Sequence, residues 1–201
     1  MERQPYYARF TPQGMPGGSN FEIRLICIHT YYGNDSVSDR VKRQRELDVL
    51  IKEIYPQIAD RVYQNSMPAY TILLGDYNVE IKKPKSFIDI RKAGKSPACL
   101  ETDENNIIEV IGWDNKKIVT VQHAYTTLKR KIADGGEENY GESGGYLHDY
   151  DHFSYEISRF EELNPIARRV DAVRDYCGQD YEKYYKTISD HVPIVLSITL
   201  N

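Results

Sequence analysis

The sequence predicts a layered fold of mixed class, an α/β or α+β sandwich in which helix packs on sheet. Three patterns predict this class: an apolar strand-like segment at 21–29, a long amphipathic segment at 38–63, and a short apolar run at 70–74. The later sequence consists mainly of shorter strand-like segments and loops. No linker or repeat interrupts the 201 residues, so we expect a single domain spanning residues 1–201.

The first strand is predicted over 21–29. This segment alternates between apolar and charged residues and then becomes apolar on both faces, which is typical of a strand that enters a buried sheet. The alternation places Glu22 and Arg24 on the face opposite to Phe21, Ile23 and the other apolar side chains of the alternating part.

A long helix is predicted over 38–63, where apolar residues recur at three- and four-residue steps between charged residues. Ser38 or Asp39 is the predicted N-cap, because a side-chain oxygen there can accept a hydrogen bond from the first turn. Pro56 predicts a kink, since proline lacks an N–H donor and its ring clashes with the preceding turn.

The remaining elements are predicted from short apolar runs and from breaks in the pattern. Strands are predicted at 70–74, 107–111, 118–121, 153–157 and 193–200. The mostly polar region 82–104 is predicted to be irregular, and the glycine- and glutamate-rich region 134–145 is predicted to be a mobile loop.

The composition excludes several classes of protein. Lysine and arginine number 26 against 30 aspartates and glutamates, and this net charge of -4 argues against nucleic-acid binding through bulk positive charge. No apolar run reaches the length of about 18 residues that predicts a membrane-spanning helix. The N-terminus lacks the regions of a signal peptide, and Cys27, Cys99 and Cys177 form no paired pattern. A reducing, cytoplasmic location is therefore the default expectation.

Polar side chains of catalytic type recur where predicted strands end. Each group alone is also ordinary turn chemistry, because aspartate, asparagine and glycine are common at strand ends. Their recurrence at several strand ends is how layered enzymes assemble a site from distant segments. A carboxylate beside an imidazole can bind a metal and take a proton from water. These residues are His29, Asp76, Asn78, Asp151, Asp190 and His191.

The order and context of these residues resemble the endonuclease/exonuclease/phosphatase family, and its deoxyribonuclease I branch most closely. Gly-Asp-Tyr-Asn at 75–78 resembles the family's Gly-Asp-aromatic-Asn motif, and 189–193 resembles its Ser-Asp-His-x-Pro motif before the final strand. The segment that starts at Arg3 resembles an Arg-Glu-Pro segment, with Gln4 in place of glutamate. Thr126 and Thr127 resemble threonines that lie near the phosphate in that branch.

The resemblance implies a deoxyribonuclease I-like fold and metal-dependent hydrolysis of DNA or another phosphodiester. It implies Mg²⁺ or Mn²⁺ as the cofactor, with Ca²⁺ as a further candidate. His191, oriented by Asp151, would be the general base, and His29 would act near the leaving oxygen. The resemblance assigns catalysis to His29, Asp76, Asn78, Asp151 and His191, phosphate binding to Arg3, Asn78 and Thr127, and metal binding to Asp190 and Asp76.

The chain also departs from the family. In the family the fold begins well before the Arg-Glu-Pro segment, and the earlier part supplies a glutamate that is a principal Mg²⁺ ligand. This chain begins almost at Arg3, and Glu2 stands in the wrong place to be that ligand. The resemblance therefore implies that the first strands of the fold are missing and that activity is weak or absent. Open strand edges invite pairing, so we expect a homo-oligomer or a complementing chain.

Two other functions fit the same residues. One is a phosphoesterase that acts on a phospholipid or a small phosphate ester, since the family spans these substrates. The other is a non-catalytic remnant of the fold that acts through protein contacts. The remaining histidines are predicted to be structural or solvated: His123, His148 and His152.

Overall fold

The central element of the described part of the chain is a mixed sheet of seven strands, flanked by helices, in agreement with the mixed class that the sequence predicts. The computed structural model describes residues 3–12, 21–34, 36–63, 67–79, 100–102, 107–111, 117–121, 125–129 and 145–199. No helix within those ranges is both long enough and apolar enough to cross a membrane.

The strands of the described residues form one large sheet and two small ones. They are β1 (Tyr6–Phe10), β2 (Glu22–His29), β3 (Ala69–Asp76), β4 (Leu100–Thr102), β5 (Ile107–Ile111), β6 (Lys117–Val121), β7 (Leu128–Lys129), β8 (Gly145–Tyr146), β9 (Asp151–Glu156), β10 (Ile166–Arg169) and β11 (Ile194–Ser197). The large sheet has the order β1-β2-β3-β9-β6-β5-β4, while β7 pairs with β8 and β10 with β11. Strands β2 and β3 are parallel, and the other neighbours are antiparallel.

The helical elements of the described residues are mostly short. They are α1 (Val37–Val49), a π-helical turn (Leu50–Ile54), α2 (Tyr55–Ala59), α3 (Ile157–Phe160), a 3-10 turn (Glu161–Leu163), α4 (Ala172–Cys177) and α5 (Tyr181–Thr187). The π turn joins α1 to α2 without a break, so the predicted long helix is present with a distorted middle.

The start of α1 differs from the prediction. The N-cap is Ser36, not Ser38 or Asp39. The Ser36 hydroxyl accepts the N–H of Asp39 at 3.2 Å, and the Asp39 carboxylate accepts the N–H of Ser36 at 3.2 Å. This reciprocal pair is a capping box, which satisfies two backbone donors at once and so fixes the N-cap two residues before Ser38.

The distortion predicted at Pro56 takes the form of the π turn. The N–H of Tyr55 donates to the carbonyl of Leu50, five residues back. A regular helix would bring the Pro56 ring against the carbonyl four residues earlier, so a widened turn just before it relieves that clash. The helix then ends at Ala59, before the predicted Tyr63.

The face of β2 that carries charged residues at its start is buried along the whole strand, whereas Cys27 and His29 on the other face are exposed. Glu22 and Arg24 are 2% and 3% exposed, and their side chains form an ion pair. The Arg24 guanidinium also donates to the carbonyls of Ala59 at 3.1 Å and Arg61 at 2.7 Å. It therefore binds carbonyls at and just after the C-terminal end of α2, where backbone carbonyls lack partners within the helix. A buried, fully paired arginine explains why the charged face of the strand lies inside.

Two apolar layers cover the two faces of the large sheet. On one face the side chains of Ile26, Leu73 and Ile118 pack with Leu50 and Tyr55 from the helical layer. On the other face a second cluster joins strands β3 and β9 to α3 and to the β10–β11 pair. Helix, sheet and second sheet thus form three layers, as expected for a sandwich.

Several predicted strands agree with the structure. The segment 21–29 contains β2, 70–74 lies inside β3, 107–111 coincides with β5, and 118–121 lies inside β6. Strand β3 continues through Gly75 to Asp76, beyond its predicted end.

Three predicted segments differ from the structure. Strand β9 begins at Asp151 rather than Phe153 and stops before Ile157, which starts α3. The terminal strand is limited to Ile194–Ser197. The region predicted as irregular, 82–104, contains β4 at its end; its residues 82–99 and 103–104, like residues 134–144, lie outside the described residues.

Candidate active site

Three adjacent strands bring three of the predicted residues together. His29 is the last residue of β2 and pairs in register with Asp76, the last residue of β3. Asp76 in turn pairs with Asp151, the first residue of β9. His29 Nε2 lies 3.4 Å from Asp76 Oδ2. Because β2 and β3 are parallel and β9 runs the other way, these three ends meet at one edge of the sheet.

His191 joins this group from the segment before β11. Two backbone contacts fix that segment. Thr127 and His191 form a β-bridge, and the N–H of Val192 donates to the carbonyl of Thr126 at 2.8 Å. His191 Nδ1 lies 2.7 Å from Asp151 Oδ2. On its other side, the ring presents Nε2 at 3.8 Å from Asp76 Oδ2. Asp76 therefore lies between two imidazoles, those of His29 and His191.

The pairing of His191 with Asp151 shifts the pKa of both groups. The hydrogen bond to Asp151 raises the pKa of His191 above its ordinary 6.5; burial opposes this shift, and the charges of Asp151, Asp76 and Asp190 add to it. For Asp151, burial acts to raise the pKa, but the hydrogen bond and charge of His191 and a hydrogen bond from Thr126 outweigh it. The pKa of Asp151 is therefore lowered, and the dyad favours a carboxylate facing an imidazolium.

Asp76 lies in a different environment from Asp151. Burial raises the pKa of Asp76, and the charge of Asp151 adds to that effect. The N–H of Asn78, which donates to Asp76 Oδ1 at 2.8 Å, and the charges of His191 and His29 act in the opposite direction. A half-buried carboxylate with its pKa raised and two rings beside it is a typical feature of active sites.

Asn78 has a geometric role that its position in the motif explains. Its φ is +49°, in the left-handed region that asparagine tolerates better than most residues. Its side-chain amide donates to the carbonyl of Thr30 at 2.9 Å, and Asn78 is 3% exposed. The residue thus ties the turn after β3 to the segment after β2.

The two threonines occupy different positions. The hydroxyl of Thr127 accepts the N–H of His148 at 2.9 Å, so its hydrogen bond is to the backbone. Thr126, which is 0% exposed, accepts the N–H of Tyr150 and of Asp151 at 3.2 Å each, and its hydrogen bond to the Asp151 carboxylate lowers the pKa of that group. The sequence pattern points to this pair, but the direct contact of Thr126 with the dyad residue is evident only in the structure.

Two predicted site residues lie at or beyond the edge of this cluster. Arg3 is exposed, and no described contact joins its side chain to the cluster. Asp190 is also exposed; its carbonyl accepts the N–H of Leu128 at 2.8 Å, and its charge contributes to the raised pKa of His191. Asp190 is therefore close enough to act on the dyad electrostatically.

The donor set for a metal is incomplete in the described residues. Carboxylates such as Asp76 and Asp190 suit a hard cation by their chemistry. However, within the described part of the chain no three histidine, cysteine, aspartate or glutamate side chains are grouped to hold a metal ion. Oδ1 of Asp76 also accepts the Asn78 N–H, while Oδ2 faces the two imidazoles. Within the described part of the chain, Asp76 and Asp190 therefore supply only part of a metal site, and the chemistry below is derived from the side chains alone.

No known protein family, curated protein or solved structure matches this chain. The class of site therefore follows from the geometry of the chain itself. A carboxylate flanked by two imidazoles, one of them held by a second carboxylate, is an arrangement for moving protons on both sides of a reacting group.

Proposed function

We propose that this chain is a metal-dependent phosphodiester hydrolase of the deoxyribonuclease I-like type, acting on DNA. The observation that carries the proposal is that His29 and His191 both face Asp76 Oδ2, at 3.4 and 3.8 Å, while His191 is held by Asp151 at 2.7 Å. Hydrolysis of a phosphodiester needs one group to take a proton from water and another to supply one to the leaving oxygen. Two imidazoles at one site can divide these tasks.

His191 is the proposed general base. Its Nδ1 is engaged with Asp151, so Nε2 is the nitrogen that can take a proton from an attacking water. The water oxygen forms a bond to phosphorus while the bond from phosphorus to the leaving oxygen breaks. The Asp151 carboxylate stabilises the imidazolium that forms. This type of acid-base assistance contributes about 10²–10⁴-fold to the rate.

His29 is the proposed donor to the leaving oxygen. Its side chain is 47% exposed, so its ring is open to a bound substrate on one side while Asp76 lies on the other. After proton transfer the products are a phosphomonoester and an alcohol, and the proton taken up by His191 can leave to solvent.

The proposal is tested by nicking of supercoiled plasmid DNA in Mg²⁺, Mn²⁺, Ca²⁺ or EDTA. We expect no nicking with EDTA, because the proposed reaction depends on a metal. With Mg²⁺ or Mn²⁺ we expect slow nicking, because Asp76 and Asp190 supply only two carboxylates in the described chain. A coordinated metal would stabilise the transition state by several kcal/mol in such reactions. Asp76→Ala and His191→Ala, purified in the same way, control for contaminating nuclease and should lower the nicking rate by about 10²-fold or more.

Each outcome of that assay is informative. Fast nicking that both variants lose would contradict the expected slow rate but support the reaction. Equal nicking by wild type and variants would show a contaminant and count against the proposal. If DNA is not cut, the same preparations are tested on RNA, sphingomyelin vesicles and bis-(p-nitrophenyl) phosphate. No cleavage of any of these would leave a non-catalytic fold and overturn the proposal.

We also propose that the chain self-associates through the outer edge of β1. This strand ends the large sheet, and Tyr6 and Phe10 on it are 72% and 55% exposed. Exposed aromatic residues on a strand edge favour pairing with another chain. Light scattering is expected to give a dimer or larger species at micromolar concentration, and Tyr6→Lys with Phe10→Lys is expected to give a monomer. A wild-type monomer that binds a second protein would indicate a complementing chain, and a monomer without a partner would contradict the proposal.

A further inference from the structure

His152 is a fully buried histidine beside the candidate active site. It follows Asp151 on β9, so its side chain points to the opposite face of the strand, where it is 0% exposed. His152 Nε2 lies 3.1 Å from the carbonyl oxygen of Val79. A carbonyl can only accept a hydrogen bond, so the ring proton must lie on Nε2. On the other side, Nδ1 lies 3.9 Å from Oδ1 of Asp149, which is itself 1% exposed.

We propose that His152 is a positioning residue, which anchors the turn 77–79 and thereby holds Asp76 and Asn78 in place. The sequence predicts only that this histidine is structural or solvated. The inference rests on the proposed function, since it assigns His152 to the reaction that Asp76 serves.

Besides the hydrogen bond between the Tyr77 and Ser154 hydroxyls, whose oxygens lie 2.9 Å apart, three attachments join the turn 77–79 to the β9 side. The Tyr77 N–H donates to the carbonyl of Tyr150 at 2.7 Å. The Tyr77 ring packs edge-on against the His152 ring, with 5.1 Å between their centroids. The third point is the Nε2–H bond to the carbonyl of Val79, the residue that follows Asn78.

This third attachment lies directly after the strained residue of the turn. Asn78 has a φ of +49°, which costs free energy unless the surrounding contacts hold it. Its N–H is the donor to Asp76 Oδ1. If the Val79 carbonyl is released, Asn78 can relax, and Asp76 then loses a hydrogen bond that fixes its carboxylate between His29 and His191. His152 therefore acts on the site through the backbone, without touching the substrate.

The test compares His152→Gln with His152→Asn. The amide nitrogen of glutamine reaches about as far as Nε2 and can still donate to Val79, whereas that of asparagine reaches only as far as Nδ1. Amide hydrogen exchange is measured at Asn78 by NMR, and kcat and KM are measured for phosphodiester cleavage. Phe153→Leu is the matched control, because Phe153 is the next residue on β9 and packs in the apolar cluster of the opposite face.

We expect His152→Asn to speed exchange at Asn78 relative to global unfolding and to lower kcat by up to about 10²-fold with little change in KM, because small misplacements of a catalytic group have effects of that size. His152→Gln should restore much of the slow exchange at Asn78 and of kcat.

Unchanged exchange at Asn78 in His152→Asn would overturn the inference, as would equal changes in Phe153→Leu. If His152→Asn speeds exchange at Asn78 but the wild-type protein cleaves no phosphodiester, the anchoring of the turn is supported and the proposed function fails. If His152→Asn does not fold, failure of His152→Gln to retain wild-type exchange at Asn78 also overturns the inference.

Discussion

Replacing His191 with alanine is expected to lower the rate of phosphodiester cleavage by about 10²–10⁴-fold, because it removes the general base. The fold should tolerate the change. The side chain is 29% exposed, and the bridge to Thr127 is made by the backbone of His191. Initial rates of plasmid nicking measure the effect, and thermal unfolding shows whether the variant is folded. A folded His191→Ala protein that cleaves at the wild-type rate would exclude His191 as the base.

The Asp151–His191 pair also predicts the pH dependence of the reaction. A general base must be neutral, so the rate should rise with pH through the pKa of His191, which the hydrogen bond to Asp151 raises above 6.5. Asp151→Asn removes that charge, so the pKa of His191 should fall and the acidic limb of the profile should move to lower pH. The maximal rate should fall as well, because the imidazolium is less stabilised. NMR titration of the His191 ring in both proteins checks the assignment; a rise in its pKa in Asp151→Asn would contradict it.

The sequence predicts much of this site because its residues follow recognisable strand patterns. The strand that contains 70–74 delivers Asp76, and the last apolar run is preceded by His191. The sequence does not reveal the register in which the strands pair. His29 and Asp76 are adjacent because β2 and β3 pair in parallel with these two residues opposite each other, and that pairing depends on the whole sheet.

The residues that the sequence does not assign are those that act through distant backbone. Thr126 bonds to the N–H of Asp151, and His152 bonds to the carbonyl of Val79, across 25 and 73 residues of chain. Neither contact leaves a periodic pattern in the sequence. The burial of Arg24 also depends on contacts with a distant segment. A charged residue on a strand is predicted to face solvent, and only the structure shows the carbonyls after α2 to which Arg24 donates.

A close backbone approach at the site makes Gly75 sensitive to substitution, for both stability and activity. Its φ is +130°, and a Cβ built on it would lie 2.1 Å from the carbonyl oxygen of Ile28 on the neighbouring strand. Since that atom is backbone, Gly75→Ala must push β2 away from β3 or twist the strand. The backbone strain alone costs about 1–3 kcal/mol, and the collision adds to it.

Gly75→Ala is therefore expected to destabilise the fold strongly and to separate His29 from Asp76, because it forces β2 and β3 apart at the residue pair next to them. Gly178→Ala is the matched control, because Gly178 also has a positive φ, of +60°, but a Cβ there meets nothing within 4 Å. The control should cost about 1–2 kcal/mol, the price of the left-handed conformation alone, and leave cleavage unchanged. Urea unfolding and the nicking rate per folded molecule measure the two effects. Equal losses of stability in both variants would mean that β2 and β3 approach less closely at Gly75 than described. Full activity of folded Gly75→Ala would mean that catalysis does not need His29 beside Asp76.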